Sequence, residues 1–394
     1  MSFSIRTAAV LAATALVVGG LTACSSDSST STSASAADCI TDFDPNTDYF
    51  PDKQTVDYAQ NFDIEYHNSY QVVTVRQPGQ SDESYVLTRC GAPAPDLTGP
   101  LAGAQQVSTP VTDLFAESTT HLPSLEALGK LDTLTGFASA DYVYSETARK
   151  HIADNDVVQF ATAGQVDAEA VVAHAPQAFV TGGFTDPAFA VIERAKVPVL
   201  NDYDWLETNP LGRAEWIKFF AALTGTEKQA TETFDGIVAE YDKYTNLAAN
   251  TAPVAIVPGL PYQGGWSVPL ASYSNDLYAT AHITHPWMTE PGTGSLQTDL
   301  ETVFAKAGDI PLAISTSSNA TKADALASEP RLAEFAAFRD GQVWTSSNRM
   351  TDAGALDIYE QGVLRPDLVL ADLIAIAHPD LLPGHEFTFY RRLQ

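Results

Sequence analysis

The sequence predicts an α/β fold of two lobes, each a parallel sheet flanked by helices, joined by one long helix and preceded by a small β-rich appendage. Three observations point to it. Short apolar strands alternate with helical stretches from residue 119 to 200, and the same alternation restarts at residue 253. Between them, residues 209–249 contain helical periodicity and no strand. Ahead of all this, residues 42–116 follow a period of two instead.

In the appendage Phe62, Ile64 and Tyr66 alternate with Asp63 and Glu65, Asn68-Ser69 makes a turn, and residues 70–75 and 85–88 are further β-prone runs. In the first lobe a helix over 119–128 ends at Gly129 and precedes a strand at 133–137 and a loop at 138–144. A helix at 167–175 stops before Pro176 and leads to a strand at 177–181 and the turn Gly182-Gly183. A helix at 186–196 leads to a strand at 197–200 and a loop at 201–205. In the connector, Asn209-Pro210 is a start signal, since Asn caps free N–H groups and Pro lacks the N–H that would be orphaned there. Trp216, Phe219, Phe220 and Leu223 give one apolar face. After Thr224-Gly225, Thr226 and Gln229 form a capping box that starts a longer helix. Its stripe is Ala230, Phe234, Ile237, Val238, Tyr241 and Leu247, and residues 227–249 would span roughly 34 Å at 1.5 Å per residue. The second lobe reads as strand 253–257, helices 272–281 and 296–307, strand 311–315, helix 331–338, strand 342–345 and a last helix 365–377. The resulting division is 1–23, 24–38, 39–116, 117–208, 209–250 and 251–394.

The first of these divisions is an export signal: Arg6, an apolar run at 8–21, and small residues up to Cys24. The run is too short for a membrane span with a stop-transfer flank. Leu21-Thr22-Ala23-Cys24 resembles a bacterial lipobox, which implies cleavage before Cys24 and a lipid on its sulfur, and hence attachment to the cell membrane on its extracytoplasmic face. An ordinary signal with an incidental Cys is the alternative. Residues 25–37 are almost all Ser, Thr and Ala, a composition that cannot bury enough apolar area to offset ordering, so they read as a tether. Cys39 and Cys90 remain, and in an exported chain they suggest a disulfide, with two free thiols as the alternative.

Of 394 residues 45% are hydrophobic and 18% charged, ordinary for a globular chain. Without Arg6 there are 20 basic residues against the same 49 acidic ones. That balance argues against nucleic acid as a partner and against a basic membrane patch.

Catalytic signatures are missing: there is no G-x-G-x-x-G after a strand, no P-loop, no G-x-S-x-G and no H-E-x-x-H. Pro291-Gly292-Thr293-Gly294-Ser295 lacks the Lys and the preceding strand of a phosphate loop and reads as a turn. His282 and His285 read as solvated loop histidines beside Pro286, so no metal and no cofactor are expected. What stands out is aromatic residues in the loops after the strands: Tyr142, Tyr144, Phe184, Tyr203 and Trp205 in the first lobe, and Trp266, Tyr273 and Trp287 in the second. Parallel α/β sheets bind ligands at the carboxyl ends of their strands, so these aromatics would face one another across a cleft as flat contact area for a ring or chelate. Arg349 follows the strand ending at Thr345 and can fork onto a carboxylate or chelate oxygen.

Taken in order, the lipobox, the tether, the two βα lobes and the Gly225-Thr226-Glu227-Lys228-Gln229-Ala230 start of a long helix resemble the class III substrate-binding lipoproteins of ABC importers for iron-siderophores, haem and cobalamin. Gly264-Gly265-Trp266-Ser267-Val268-Pro269 with Ser272-Tyr273, and Arg365-Pro366-Asp367-Leu368-Val369-Leu370-Ala371-Asp372-Leu373 with His378-Pro379-Asp380, are similar too. The resemblance spans about 119–390. It implies two Rossmann-like lobes on a rigid single helix that close by a small rocking motion. It also implies one acidic residue near the top of each lobe that docks on permease arginines, here Asp186 in the first lobe and Asp324 or Glu329 in the second. The expected function is capture of a ferric-siderophore-type chelate by a monomer, without chemistry, for delivery to ABC permease subunits. Cobalamin or haem is the rival ligand, an exported chelate-modifying enzyme the rival class, and a surface adhesin a third.

Overall fold

A computed structural model describes residues 39–262 and 265–394. The expected signal, lipidated Cys24 and tether lie outside the described residues.

The appendage is a four-stranded sheet. Phe62–Tyr66, Tyr70–Val75 and Glu83–Arg89 pair antiparallel in sequence, and Gln105–Thr109 joins the last of them in parallel. The period-two pattern puts Phe62 in the core and leaves Asp63 exposed. Cys39 and Cys90 are bonded to one another. The chain beside that bond crosses Gly91 so closely that a Cβ there would lie 2.0 Å from the Ile40 carbonyl oxygen, and Gly91 has φ +84°, so only glycine fits.

Two buried carboxylates fasten this sheet to the connector. Glu215 accepts the backbone N–H groups of Asp57, Tyr58 and Ala59 at 3.0, 2.7 and 2.8 Å, and Lys218 Nζ at 2.6 Å. Glu207 accepts those of Gln60 and Asn61 and the indole N–H of Trp216. Five consecutive N–H groups of an irregular, mostly exposed segment are thereby bonded, and the two carboxylates are buried with these donors serving their oxygens.

The first parallel sheet runs, in spatial order, Val199–Asn201, Ala178–Thr181, Leu114–Ala116, Leu134–Phe137, Val158–Gln159. The strand Leu114–Ala116 stands at its centre, so this sheet begins inside the stretch 39–116 that the sequence assigns to the appendage. Every residue of Ala178–Thr181 is buried, the expected burial for a strand covered by helices on both faces. The expected helix over 119–128 is a 3-10 turn, Thr119–His121, followed by the α-helix Leu122–Ala127.

The connector begins as expected: Asn209 caps the N–H of Gly212 at 2.6 Å ahead of Pro210–Glu215. Trp216 separates that helix from Ile217–Thr224, and Gly225 closes the second in the left-handed conformation. Glu227–Ala248 follows, 22 residues long, packed along the last helix Pro366–Ala377. Its buried face is Ala230, Phe234, Ile237, Tyr241 and Ala248; Leu247 is 38% exposed, because Ala248 takes its place against the core. No capping box forms. Thr226 Oγ1 meets Thr224 Oγ1 at 2.9 Å, and Gln229 Nε2 donates to the Ala127 carbonyl at 2.6 Å.

In the second lobe Val257–Pro258, Ala313–Ser315 and Val343–Thr345 are parallel, with Arg391–Arg392 antiparallel at one edge. The single strand expected at 253–257 divides between two sheets: Val254–Ala255 pairs with Ile283–Thr284, and Val257–Pro258 pairs with Ala313–Ser315. The helix expected at 296–307 starts later. Ser295–Thr298 is a strand paired antiparallel with Gly265–Pro269, and the helix is Leu300–Ala307, capped by Asp299 on Thr302 N–H. Cross-strand pairing of Leu296 with Val268 overrides the helical reading there. The helix expected at 331–338 breaks at Phe335, which is extended and buried between Pro330–Glu334 and Ala336–Asp340.

Candidate functional site

Between the sheets lies a cavity of about 470 Å³. Its walls come from three places: Trp205 after the strand Val199–Asn201; Pro210 and Arg213 on the first connector helix; and Ser272, Tyr273, Leu277 and Tyr278 of the second lobe. Asn209 sets the helix that carries Pro210 and Arg213 at i and i+3, one face of that helix. Ser272 caps the helix Tyr273–Thr280, whose first turn presents Tyr273 and Ser274 to the cavity. Val369 and Leu373 of the last helix also line it.

The Arg213 guanidinium donates from Nε to Asp204 Oδ2 at 2.9 Å and lies 4.4 Å from the Tyr273 ring centroid. Asp204 is followed on the chain by Trp205. Asp202, two residues before Asp204, is fully buried, and burial pushes its carboxyl up, helped by the charge of Asp204. His121 Nε2 is 3.6 Å from Asp202 Oδ2, and burial lowers the imidazole to about 3, so the ring is neutral at ordinary pH.

On the other side of the segment Asp357–Leu364 is a more open cavity of about 1000 Å³ lined by Glu126, Tyr144, Arg149, Arg349, Asp357 and Arg365, among others. Arg349 Nε is 2.9 Å from Asp357 Oδ2, and its guanidinium sits 5.3 Å from the Tyr144 ring centroid. Burial raises the Asp357 carboxyl while Arg349 opposes the shift. Glu360 accepts the backbone N–H groups of Tyr144 and Ser145 and is pushed up to about 7, chiefly by burial.

The structure therefore brings Trp205 and Tyr273 to one cavity and Tyr144 and Arg349 to the other. Phe184, 62% exposed, stacks on Trp205 with centroids 4.9 Å apart, and Trp205 Nε1 donates to the Gly182 carbonyl. Tyr142 is 60% exposed beside the second cavity's Ala140 and Asp141. Three aromatics lie behind the walls instead. Tyr203 is 3% exposed, its hydroxyl donating to Glu83, under Gly183, where a Cβ would fall 2.4 Å from the Tyr203 ring. Trp266 is 4% exposed, with Nε1 on the Pro258 carbonyl and its ring on Phe335. Trp287 is buried in the same second-lobe core. His285, read as solvated, is buried with Nε2 on Asn275 Oδ1 and is lowered to about 4 by burial; His282 bonds the Thr251 carbonyl.

The three acids expected to dock each cap a local turn. Asp186 accepts Ala188 N–H, Asp324 completes a capping box with Thr321, and Glu329 accepts Arg331 N–H. Arg213, Asp204, Asp357 and Glu360 escaped the sequence reading. Three charges, Arg213, Glu215 and Lys218, interrupt the otherwise apolar stretch 210–223, and nothing in the sequence marks Arg213 as the one at the cavity.

Among known proteins, the chain is 25% identical over 298 residues to an uncharacterized lipoprotein of Methanocaldococcus jannaschii, covering 72% of this chain and 69% of the relative. The fold is similar to a periplasmic binding protein of Veillonella parvula, with a TM-score of 0.55, 13% identity, and coverage of 79% of this chain and 99% of that one. It is also similar to a periplasmic heme binding protein of Pseudomonas aeruginosa, with a TM-score of 0.52, 19% identity, and coverage of 68% and 93%. Residues 118–349, which hold the parallel strands of the second lobe's sheet, the connector and most of the walls of the cavity of about 470 Å³, match the periplasmic binding protein family model, and the chain belongs to that family.

Proposed function

We propose that this chain is the extracytoplasmic substrate-binding component of an ABC importer, held to the membrane by a lipid on Cys24, which captures a ferric-siderophore-type chelate between its lobes and delivers it to the permease. The observation that carries the reading is the cavity of about 470 Å³ between the lobes, walled by Trp205 and Tyr273 and bordered by the exposed Phe184. A half-open, mostly apolar space with aromatic walls and a few polar groups suits a compact organic chelate. Export and anchoring are supported by the Leu-Thr-Ala-Cys ending and by relatives named as lipoproteins, and no helix among the described residues is long and apolar enough to cross a membrane. The division into lobes at 117–208 and 251–394, the connector at 209–250, the action as a monomer and the docking of Asp186, Asp324 or Glu329 on a permease belong to the same proposal.

The test is a titration of the full chain in detergent against ferrichrome, ferric enterobactin, ferric citrate, haemin and cyanocobalamin, followed by tryptophan fluorescence. One saturable site for a ferric siderophore, with the ligand recovered unchanged, is expected. Binding of haemin or cyanocobalamin alone would replace the iron reading. Conversion of the ligand would make the chain an exported chelate-modifying enzyme.

A further inference from the structure

Among the described residues lining the cavity of about 470 Å³, Arg213 is the single charged side chain; the other polar groups on its walls are mainly serine, threonine and tyrosine hydroxyls. Arginine is rarely left buried without full pairing, because removing a cation from water is costly. Here the residue is 8% exposed, and among the described residues its guanidinium makes one hydrogen bond, from Nε to Asp204 Oδ2. The terminal nitrogens, four N–H donors in a planar fork, have no partner within the described protein.

The side chain is also held in place. Asn209 caps the helix, and a Cβ on Gly212 would lie 2.9 Å from the Tyr58 carbonyl oxygen, so the first connector helix is seated closely on the appendage. Tyr273 backs the guanidinium face at 4.4 Å. A planar cation fixed at its Nε edge and at its face, with unfilled donors in a cavity otherwise free of charge, is built to receive two oxygens of an anion.

We propose that Arg213 is the specificity-determining residue of the cavity and that it selects ligands presenting a carboxylate to that wall. This rests on the reading of the cavity as the binding site and goes further in naming the ligand's charge and the residue that reads it. Position on the connector, rather than on a strand-end loop, means that the contact stays in place whichever lobe moves.

The experiment uses the full chain in detergent with three probes: ferric citrate, iron-free citrate and the neutral hydroxamate chelate ferrichrome. The variants are Arg213→Lys, which keeps the charge and loses the fork, and the double change Arg213→Gln with Asp204→Asn, which removes both members of the pair and leaves no lone buried charge. Expected is a loss for ferric citrate of about tenfold in R213K and about a hundredfold in the double variant, the range for a hydrogen bond to a charged group, with a loss for ferrichrome at least several-fold smaller in each. Equal losses for anionic and neutral probes would show a structural role and overturn the proposal, as would a variant series with no loss or a chain that binds neither anion. If iron-free citrate binds through Arg213 and no ferric chelate binds, this proposal stands and the iron-chelate reading fails.

Discussion

Glu360 of the second lobe accepts the backbone N–H of Ser145 in the first lobe at 3.0 Å, and its other oxygen accepts that of Tyr144. This carboxylate ties the loop after Leu134–Phe137 to the segment that follows Val343–Thr345. Burial, with the nearby charges of Asp357 and Glu126, raises it from 4.5 to about 7 against the pull of the two N–H groups. Between those values the folded chain holds a proton that the unfolded chain has released. The contribution is therefore complete below pH 4.5 and is lost as pH rises through about 7. Glu360→Gln should flatten the fall in melting temperature across that window, and should cost about 1–3 kcal/mol near neutral pH by turning an amide N–H toward a backbone N–H. Identical pH slopes in thermal melts of the two proteins would exclude Glu360 as the titrating group.

Phe184 stacks on Trp205 while leaving most of its own surface exposed, an arrangement that contributes little to folding. Phe184→Ala should lower chelate affinity up to about tenfold, from loss of an aromatic contact of about 0.5–1.5 kcal/mol, and should move the melting temperature only slightly. Titration followed by Trp205 fluorescence, paired with a melt, separates the two effects. A large drop in stability with unchanged affinity would place Phe184 in the fold rather than at the ligand.

Local rules carried much of this architecture. Asn209-Pro210 starts a helix because its capping chemistry lies within four residues, and the stripe from Ala230 to Tyr241 faces the core because a period of 3.6 is a property of the segment itself. The same rules fail where distant partners decide. Nothing in the sequence near Trp266 distinguishes it from Trp205, but Trp266 falls inside the strand Gly265–Pro269, finds the Pro258 carbonyl and Phe335 and is buried, whereas Trp205 follows a strand and keeps a face on the cavity. Leu296 to Thr298 can turn as a helix until Gly265–Pro269 offers backbone partners. Arg213 is one of three charges in the stretch 210–223, and its pairing with Asp204 and its stacking on Tyr273 exist only once the connector and both lobes have met.

Gly236 lies inside the connector helix Glu227–Ala248, where a Cβ would meet nothing within 4 Å. Glycine in a helix interior costs roughly 1 kcal/mol relative to alanine, partly through the freedom it gives the unfolded chain. Gly236→Ala should therefore raise stability by up to about 1 kcal/mol. If the helix acts as a spacer that is already stiff, ligand affinity should not change. A gain in affinity alongside the gain in stability, measured by the same titration, would instead mean that the native connector bends enough to weaken binding.

Glu215 is fully buried and serves three backbone N–H groups and Lys218 together. Lys218 is itself buried, with Nζ on the Thr55 carbonyl and 4.5 Å from the Phe234 ring centroid. Removing the carboxylate strands that cation in a low-dielectric interior and takes the acceptor from the N–H groups of residues 57–59. Glu215→Ala should cost about 3–5 kcal/mol, the range for breaking a buried ion pair from one side. The double change Glu215→Ala with Lys218→Met should recover part of that loss, since no unpaired charge is left, while the three N–H groups remain unserved. Limited proteolysis gives an independent readout. Cleavage near residues 55–61 should accelerate in both variants, because the strap loses its acceptors in both, whereas the melting temperature should separate them. If the double variant is no more stable than the single one, the cost lies in the backbone N–H groups rather than in the stranded lysine.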